Sequence, residues 1–177
     1  MNMHSRIGQS VTVNGRTYAW PKAPTVVVCI DGSEPGYIEA AIEAGLAPNL
    51  RRLMGDGANF LAKSVIPSFT NPNNISIITG APPAVHGIAG NYFYDREAGE
   101  AVMMNDVRFM RADTIMMAFH DAGASVAVVT AKDKLRTLLG RGLDHASVDE
   151  PQSRRILAAT ARSSGSPDAA SPATTPA

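Results

Sequence analysis

A few side chains are of the type and spacing that could do chemistry. Asp31 follows a run of apolar, β-branched residues at 25–30. A carboxylate at the carboxyl end of a buried strand sits where α/β proteins collect their ligands, and it can hold a divalent cation. Asp31 or Ser33 could equally cap the next helix. Thr70 lies in Ser68-Phe69-Thr70-Asn71-Pro72-Asn73-Asn74, at the threshold of a helix. There a hydroxyl meets unpaired N–H groups and the positive end of the helix dipole, a good place for a phosphoryl anion. A metal-bound threonine loses its proton more easily and becomes a usable nucleophile. As an N-cap it would do no chemistry, and local spacing leaves both roles open. Asn91 lies in a Pro/Gly-rich loop, where it could donate to an anionic oxygen or serve the turn. Lys132 and Lys134 follow the apolar run at 125–130. They could be point charges for an anion or a solvated pair at a helix start, although cations in a first turn oppose the dipole. His86 is expected to structure its loop. His120-Asp121 and Asp144-His145 are expected to be surface residues.

These groups need elements to place them. Asn14-Gly15 between alternating segments predicts a β-hairpin. The runs at 25–30 and 125–130 have the character of strands buried on both faces, and 59–67 reads as a further strand. Helices are expected at 35–44, 48–54 and 71–79, the last ended by Gly80, and at 114–122, capped by Asp113. Residues 81–100 read as a Pro/Gly-rich loop. Alternating strands and helices predict an α/β class with a mostly parallel central sheet. Asp31, Thr70 and Lys132 would then gather near the carboxyl edge of that sheet.

Composition narrows the function classes. Of 177 residues, 45% are hydrophobic and 18% charged, which excludes disorder throughout and permits one domain with a real core. Sixteen basic residues balance 16 acidic ones, so no net charge draws the chain to nucleic acid or to anionic lipid. No apolar run is long enough to span a bilayer, and the first residues lack the apolar core of a signal peptide. The single Cys29 fits a cytoplasmic location.

Taken in order, Val28-Cys29-Ile30-Asp31-Gly32, the Ser68–Asn74 motif, Thr79-Gly80, His86-Gly87-Ile88 with Asn91, and Thr130-Ala131-Lys132-Asp133-Lys134-Leu135 resemble the alkaline phosphatase superfamily. Within it, they are most similar to the phosphonoacetate hydrolase family. The resemblance covers about residues 9–143. It implies an alkaline phosphatase-like α/β sandwich, incomplete in this chain, around a two-zinc site. It further implies zinc-dependent cleavage of the carbon–phosphorus bond of phosphonoacetate to acetate and phosphate. On that resemblance, Asp31 is a zinc ligand, and Thr70 is both zinc ligand and nucleophile. Asn91 binds the phosphonate, and Lys132 and Lys134 hold the substrate carboxylate. The partner is a small-molecule phosphonate, with a homodimer left open as the assembly.

Asp31 and Thr70 are too few for a zinc site, which takes four ligands, or three and an open position. The family's remaining ligands lie beyond the resembling region. After Leu143 the pattern breaks, and 163–177 holds no large apolar residue. Residues 144–177 are therefore expected to be a disordered tail, and the break reads as a frameshift or truncation. The expectation is a chain inactive alone. The alternatives are a nucleotide pyrophosphatase/phosphodiesterase-type hydrolase and a non-catalytic fragment.

Overall fold

The computed structural model describes residues 8–143. The expectation for the tail at 144–177, and Asp144-His145 with it, lies outside the described residues.

A hairpin opens the fold, with β1 (Ser10–Val13) antiparallel to β2 (Arg16–Ala19) and Val13 opposite Arg16. Asn14 and Gly15 take φ of 50° and 75°, the two positive values that a tight hairpin turn requires. Strand alternation buries Val11 and Val13. The Asn14 carboxamide donates to Thr79 O at 2.8 Å and to Asp113 O at 2.7 Å, which ties the turn to the body of the protein. Trp20 meets Phe119 edge-on at 5.5 Å.

Four helices come next: α1 (Pro35–Glu43), α2 (Pro48–Asp56), α3 (Thr70–Thr79) and the single turn α4 (Pro83–His86). Proline in the first turn of α1, α2 and α4 removes an N–H that would have no partner there. Gly80 ends α3 in the left-handed region at φ 63°. The second hairpin pairs β3 (Tyr92–Asp95) with β4 (Glu100–Met103). A 3₁₀ turn (Val107–Phe109), α5 (Ile115–Asp121) and α6 (Asp133–Leu139) complete the order.

The core gathers Ile75 from α3, Ile88, Met104 and Met110 from the connections, and Leu135, Leu138 and Leu139 from α6. His86 is buried beside α3. Its Nδ1 accepts from the Ile88 N–H at 3.1 Å, which leaves Nε2 to carry the proton toward Ser76 Oγ at 2.9 Å. The residue structures its loop, as its sequence context suggested. Burial, and next the Arg111 charge, push the imidazole below the ordinary histidine range. The unfolded chain therefore takes up that proton more readily than the folded one. Stability is full above about pH 6.5 and falls as pH drops below it. Urea midpoints measured at about pH 7.5 and about pH 5.5 will show the loss. In His86→Asn, whose carboxamide oxygen can replace Nδ1 as acceptor, the difference will shrink.

The α/β class is observed, but the sheets differ from expectation. Both are two-stranded antiparallel hairpins. The parallel sheet expected from 25–30, 59–67 and 125–130 does not form among the described residues, because these segments find no neighbour to complete a ladder. Val26, Val27, Val28, Phe60 and Leu61 are consequently exposed. Residues 124–130 keep a strand-like alternation of half-buried and exposed positions, with Val128 against the core. The segment read as one loop at 81–100 contains α4 and most of the second hairpin. Asp113 does not cap α5; Thr114 does, its hydroxyl accepting from the Met117 N–H at 2.9 Å.

Candidate active site

Three of the sequence-predicted residues meet at one oxygen. The Thr70 hydroxyl donates to Asp31 Oδ2 at 3.2 Å, and the Lys132 ammonium pairs with the same Oδ2. The elements explain the meeting. Asp31 opens a turn after residues 25–30, with Ser33 N–H returning to Ile30 O at 3.2 Å. Thr70 is the first residue of α3, and Lys132 immediately precedes α6.

This geometry excludes two capping roles that local spacing left open. Phe69 holds the cap position of α3 and Glu34 that of α1, and neither helix has a side-chain cap. Asp31 and Ser33 therefore do not cap α1, and Thr70 does not cap α3. The Thr70 hydroxyl is turned toward Asp31.

The Lys132 ammonium, by hydrogen bond and by charge, holds the Asp31 carboxyl below the usual carboxylate range. Burial pulls the other way, and the Thr70 hydroxyl and the Lys134 charge add to the lowering. A carboxylate held ionised in this way is a poor base for an alcohol. Toward Thr70 it accepts the hydrogen bond of the hydroxyl and offers an anionic oxygen.

Asn91 is placed against the first turn of α3. Its Oδ1 accepts from the Asn71 N–H at 3.0 Å, so Nδ2 is the donor end it can offer. Lys134 lies in the first turn of α6, and its charge reaches Asp31. His120 Nδ1 lies 3.7 Å from Asp121 Oδ1 on α5, apart from this cluster.

The asparagines after Thr70 enter the sequence reading only as part of a motif, with no role given to them. Asn73 Nδ2 donates to Phe69 O at 2.9 Å, and its Oδ1 accepts from the Val65 N–H at 3.1 Å. Asn74 Nδ2 donates to Thr70 O at 2.9 Å, while its Oδ1 lies 3.6 Å from Cys29 Sγ. Asn74 thus links the chain two residues before Asp31 to the backbone of Thr70. Three asparagines in the first half of a ten-residue helix are the signal available in sequence. Asparagine is a poor helix former whose amide competes for backbone partners.

Asp31 and Thr70 supply two oxygen donors within hydrogen-bond distance, which fits part of the coordination shell of a hard or borderline cation. Among the described residues no group of three or more His, Cys, Asp or Glu side chains converges to complete it.

Comparison with known proteins bears on this site. Residues 25–146 match the family model described as type I phosphodiesterase / nucleotide pyrophosphatase. The chain is 35% identical over 81 residues to an uncharacterised pyrophosphatase/phosphodiesterase of Schizosaccharomyces pombe, covering 45% of this chain and 16% of that protein. It is 31% identical over 90 residues to the alkaline phosphatase PafA of Elizabethkingia meningoseptica, covering 49% and 16%. Crystal structures of phosphonoacetate hydrolase from Sinorhizobium meliloti 1021, in complex with phosphonoformate and with phosphonoacetate, superpose with a TM-score of 0.73 at 67% identity. They match 76% of this chain, which spans 33% of theirs.

Proposed function

The chain belongs to the type I phosphodiesterase / nucleotide pyrophosphatase family, and from that premise we propose that it carries the nucleophile and substrate-anchoring residues of a phosphonoacetate hydrolase. The observation that carries the proposal is the junction of Thr70, Asp31 and Lys132 at one carboxylate oxygen. Likeness to the Sinorhizobium enzyme over three quarters of the chain supports the choice of substrate.

Thr70 Oγ1 attacks phosphorus. As the O–P bond forms, the hydroxyl proton passes to solvent, the C–P bond breaks, and its electron pair leaves with the acetate carbon, which takes a proton from solvent. Water then cleaves the phosphothreonine to release phosphate. Asp31 keeps the hydroxyl aimed through the hydrogen bond it already accepts. Asn91 Nδ2 donates to a phosphonate oxygen, and Lys132 and Lys134 hold the carboxylate at the far end. Asp31 and Thr70 would be ligands to a zinc ion, which when bound lowers the pKa of the hydroxyl and neutralises charge on the phosphoryl oxygens. The substrate is a small-molecule phosphonate and the setting the catabolism of phosphonates. The lone Cys29 favours the cytoplasm. No helix among the described residues is long and apolar enough to cross a membrane.

A second reading, a nucleotide pyrophosphatase/phosphodiesterase, is favoured by the family model and by the likeness to the Schizosaccharomyces pombe protein. The lysines separate the two, since a carboxylate-bearing substrate uses cations and a nucleoside uses an aromatic slot. The test joins residues 1–143 to the part of the Sinorhizobium enzyme that this chain does not cover. In that hybrid, Lys132→Ala or Lys134→Ala will raise KM for phosphonoacetate by about tenfold, with a smaller effect on kcat. Each removes a charge contact to the substrate carboxylate, which ground state and transition state share, and in Lys132→Ala the unpaired Asp31 oxygen beside Thr70 adds the smaller effect on kcat. Wild-type kinetics in both variants, or faster turnover of a nucleotide diester than of phosphonoacetate, would favour the second reading.

A further inference from the structure

Asn71 sits fully buried next to Thr70, and its own bonding is incomplete. Nδ2 donates to Met104 O at 2.8 Å, while Oδ1 has no partner among the described residues. A buried polar atom without a partner costs free energy, and an apolar side chain of similar size would avoid that cost. What the asparagine gains is visible in its neighbours. Its backbone N–H donates to Asn91 Oδ1 at 3.0 Å. The Met104 N–H donates to Asn91 O at 2.8 Å. The two residues that grip Asn91, one by its side chain and one by its backbone, are thus joined to each other by the Asn71 carboxamide. The ring also fixes which way the Asn91 amide faces. A flipped amide would set its N–H against the N–H of Asn71, so Oδ1 stays at the helix and Nδ2 is presented.

We propose that Asn71 is the positioning residue for Asn91. By tying Met104, immediately after β4, to the first turn of α3, it holds both the backbone and the side chain of Asn91, so that Nδ2 meets an anionic oxygen of the substrate. The inference rests on the reading of Asn91 as a phosphonate donor, and its test separates the two.

The first arm uses the ¹⁵N-labelled 177-residue chain without ligand and reads the order parameter of the Asn91 side-chain amide. The wild type will show a value near the roughly 0.85 of rigid backbone, and Asn71→Leu a value below about 0.6 with the helices intact. If Asn71→Leu fails to fold, Asn71→Ser, whose hydroxyl is too short for Met104 O, replaces it. An unchanged order parameter in a folded variant overturns the inference. The second arm titrates phosphonoformate, the ligand held in one Sinorhizobium crystal structure, into the hybrid hydrolase in its wild-type form, both single variants and the double variant. Asn71→Leu will weaken binding by about fivefold to tenfold, and by nothing further in an Asn91→Ala background. Equal losses in both backgrounds would mean that Asn71 acts independently of Asn91, and the inference falls. If Asn91→Ala leaves binding unchanged, the donor role of Asn91 fails instead, and if the wild-type hybrid does not bind, the phosphonate reading of the site fails. The order parameter then still decides whether Asn71 positions it.

Discussion

Thr70→Ala in the hybrid hydrolase will lower kcat for phosphonoacetate by about 10⁴-fold or more, because no neighbouring group can take over the attack. Asp31, which accepts the Thr70 hydrogen bond, has the same oxygen engaged by the Lys132 ammonium, which weakens it as a nucleophile. The loss will fall on kcat, since Asn91, Lys132 and Lys134 still bind the two ends of the substrate. Thr70→Ser keeps the hydroxyl but loses the methyl group that restrains its rotamer, and it will retain a measurable fraction of the activity. An initial-rate series with both variants reads this directly.

The largest stability effect is expected at Leu138. This residue is fully buried and belongs to the cluster with Ile75, Ile88 and Met110. Leu138→Ala removes three carbons and leaves a cavity, at a cost of about 2–5 kcal/mol. Domains of this size are stable by only about 5–15 kcal/mol. The loss also reaches the site. Helix α6 spans Asp133–Leu139 and is anchored by Leu135, Leu138 and Leu139, and Lys132 and Lys134 lie at its start. Loosening α6 therefore releases the cations from Asp31. Urea denaturation will give a lower midpoint with an unchanged slope. A midpoint within error of the wild type would mean that the described core is not the stabilising one.

Part of this architecture was legible from residue types. Asn14-Gly15 specified its hairpin because two successive positive φ angles admit few other residues. Pro35, Pro48 and Gly80 marked helix ends through the same local sterics. The meeting of Asp31, Thr70 and Lys132 was expected from their places after apolar runs and at a helix start, and the three do converge. Partnering was not legible. Residues 25–30 have the character of a buried strand, yet composition does not say which segment completes a ladder, and Val26 to Val28 stay exposed. The β3–β4 hairpin was hidden in a Gly-containing stretch, although Tyr92-Phe93-Tyr94 with Gly99 is a fair strand-and-turn pattern. The cap at Thr114 rather than Asp113 turns on a shift of one residue. The asparagine bonds around Thr70 and Asn91 join residues up to 45 positions apart. Their logic shows only once α3 packs against Cys29, Asn91 and Met104.

The central claim is that Thr70 is the nucleophile that takes the phosphoryl group. The direct measurement is mass spectrometry of the peptide containing Thr70, acid-quenched while the hybrid hydrolase turns over phosphonoacetate. The account predicts a phosphoryl group on Thr70, absent before substrate is added and absent from Thr70→Ala, whose acetate release will fall by about 10⁴-fold or more. Continued release of acetate and phosphate by Thr70→Ala, with the phosphoryl group on another residue or on none, would contradict it.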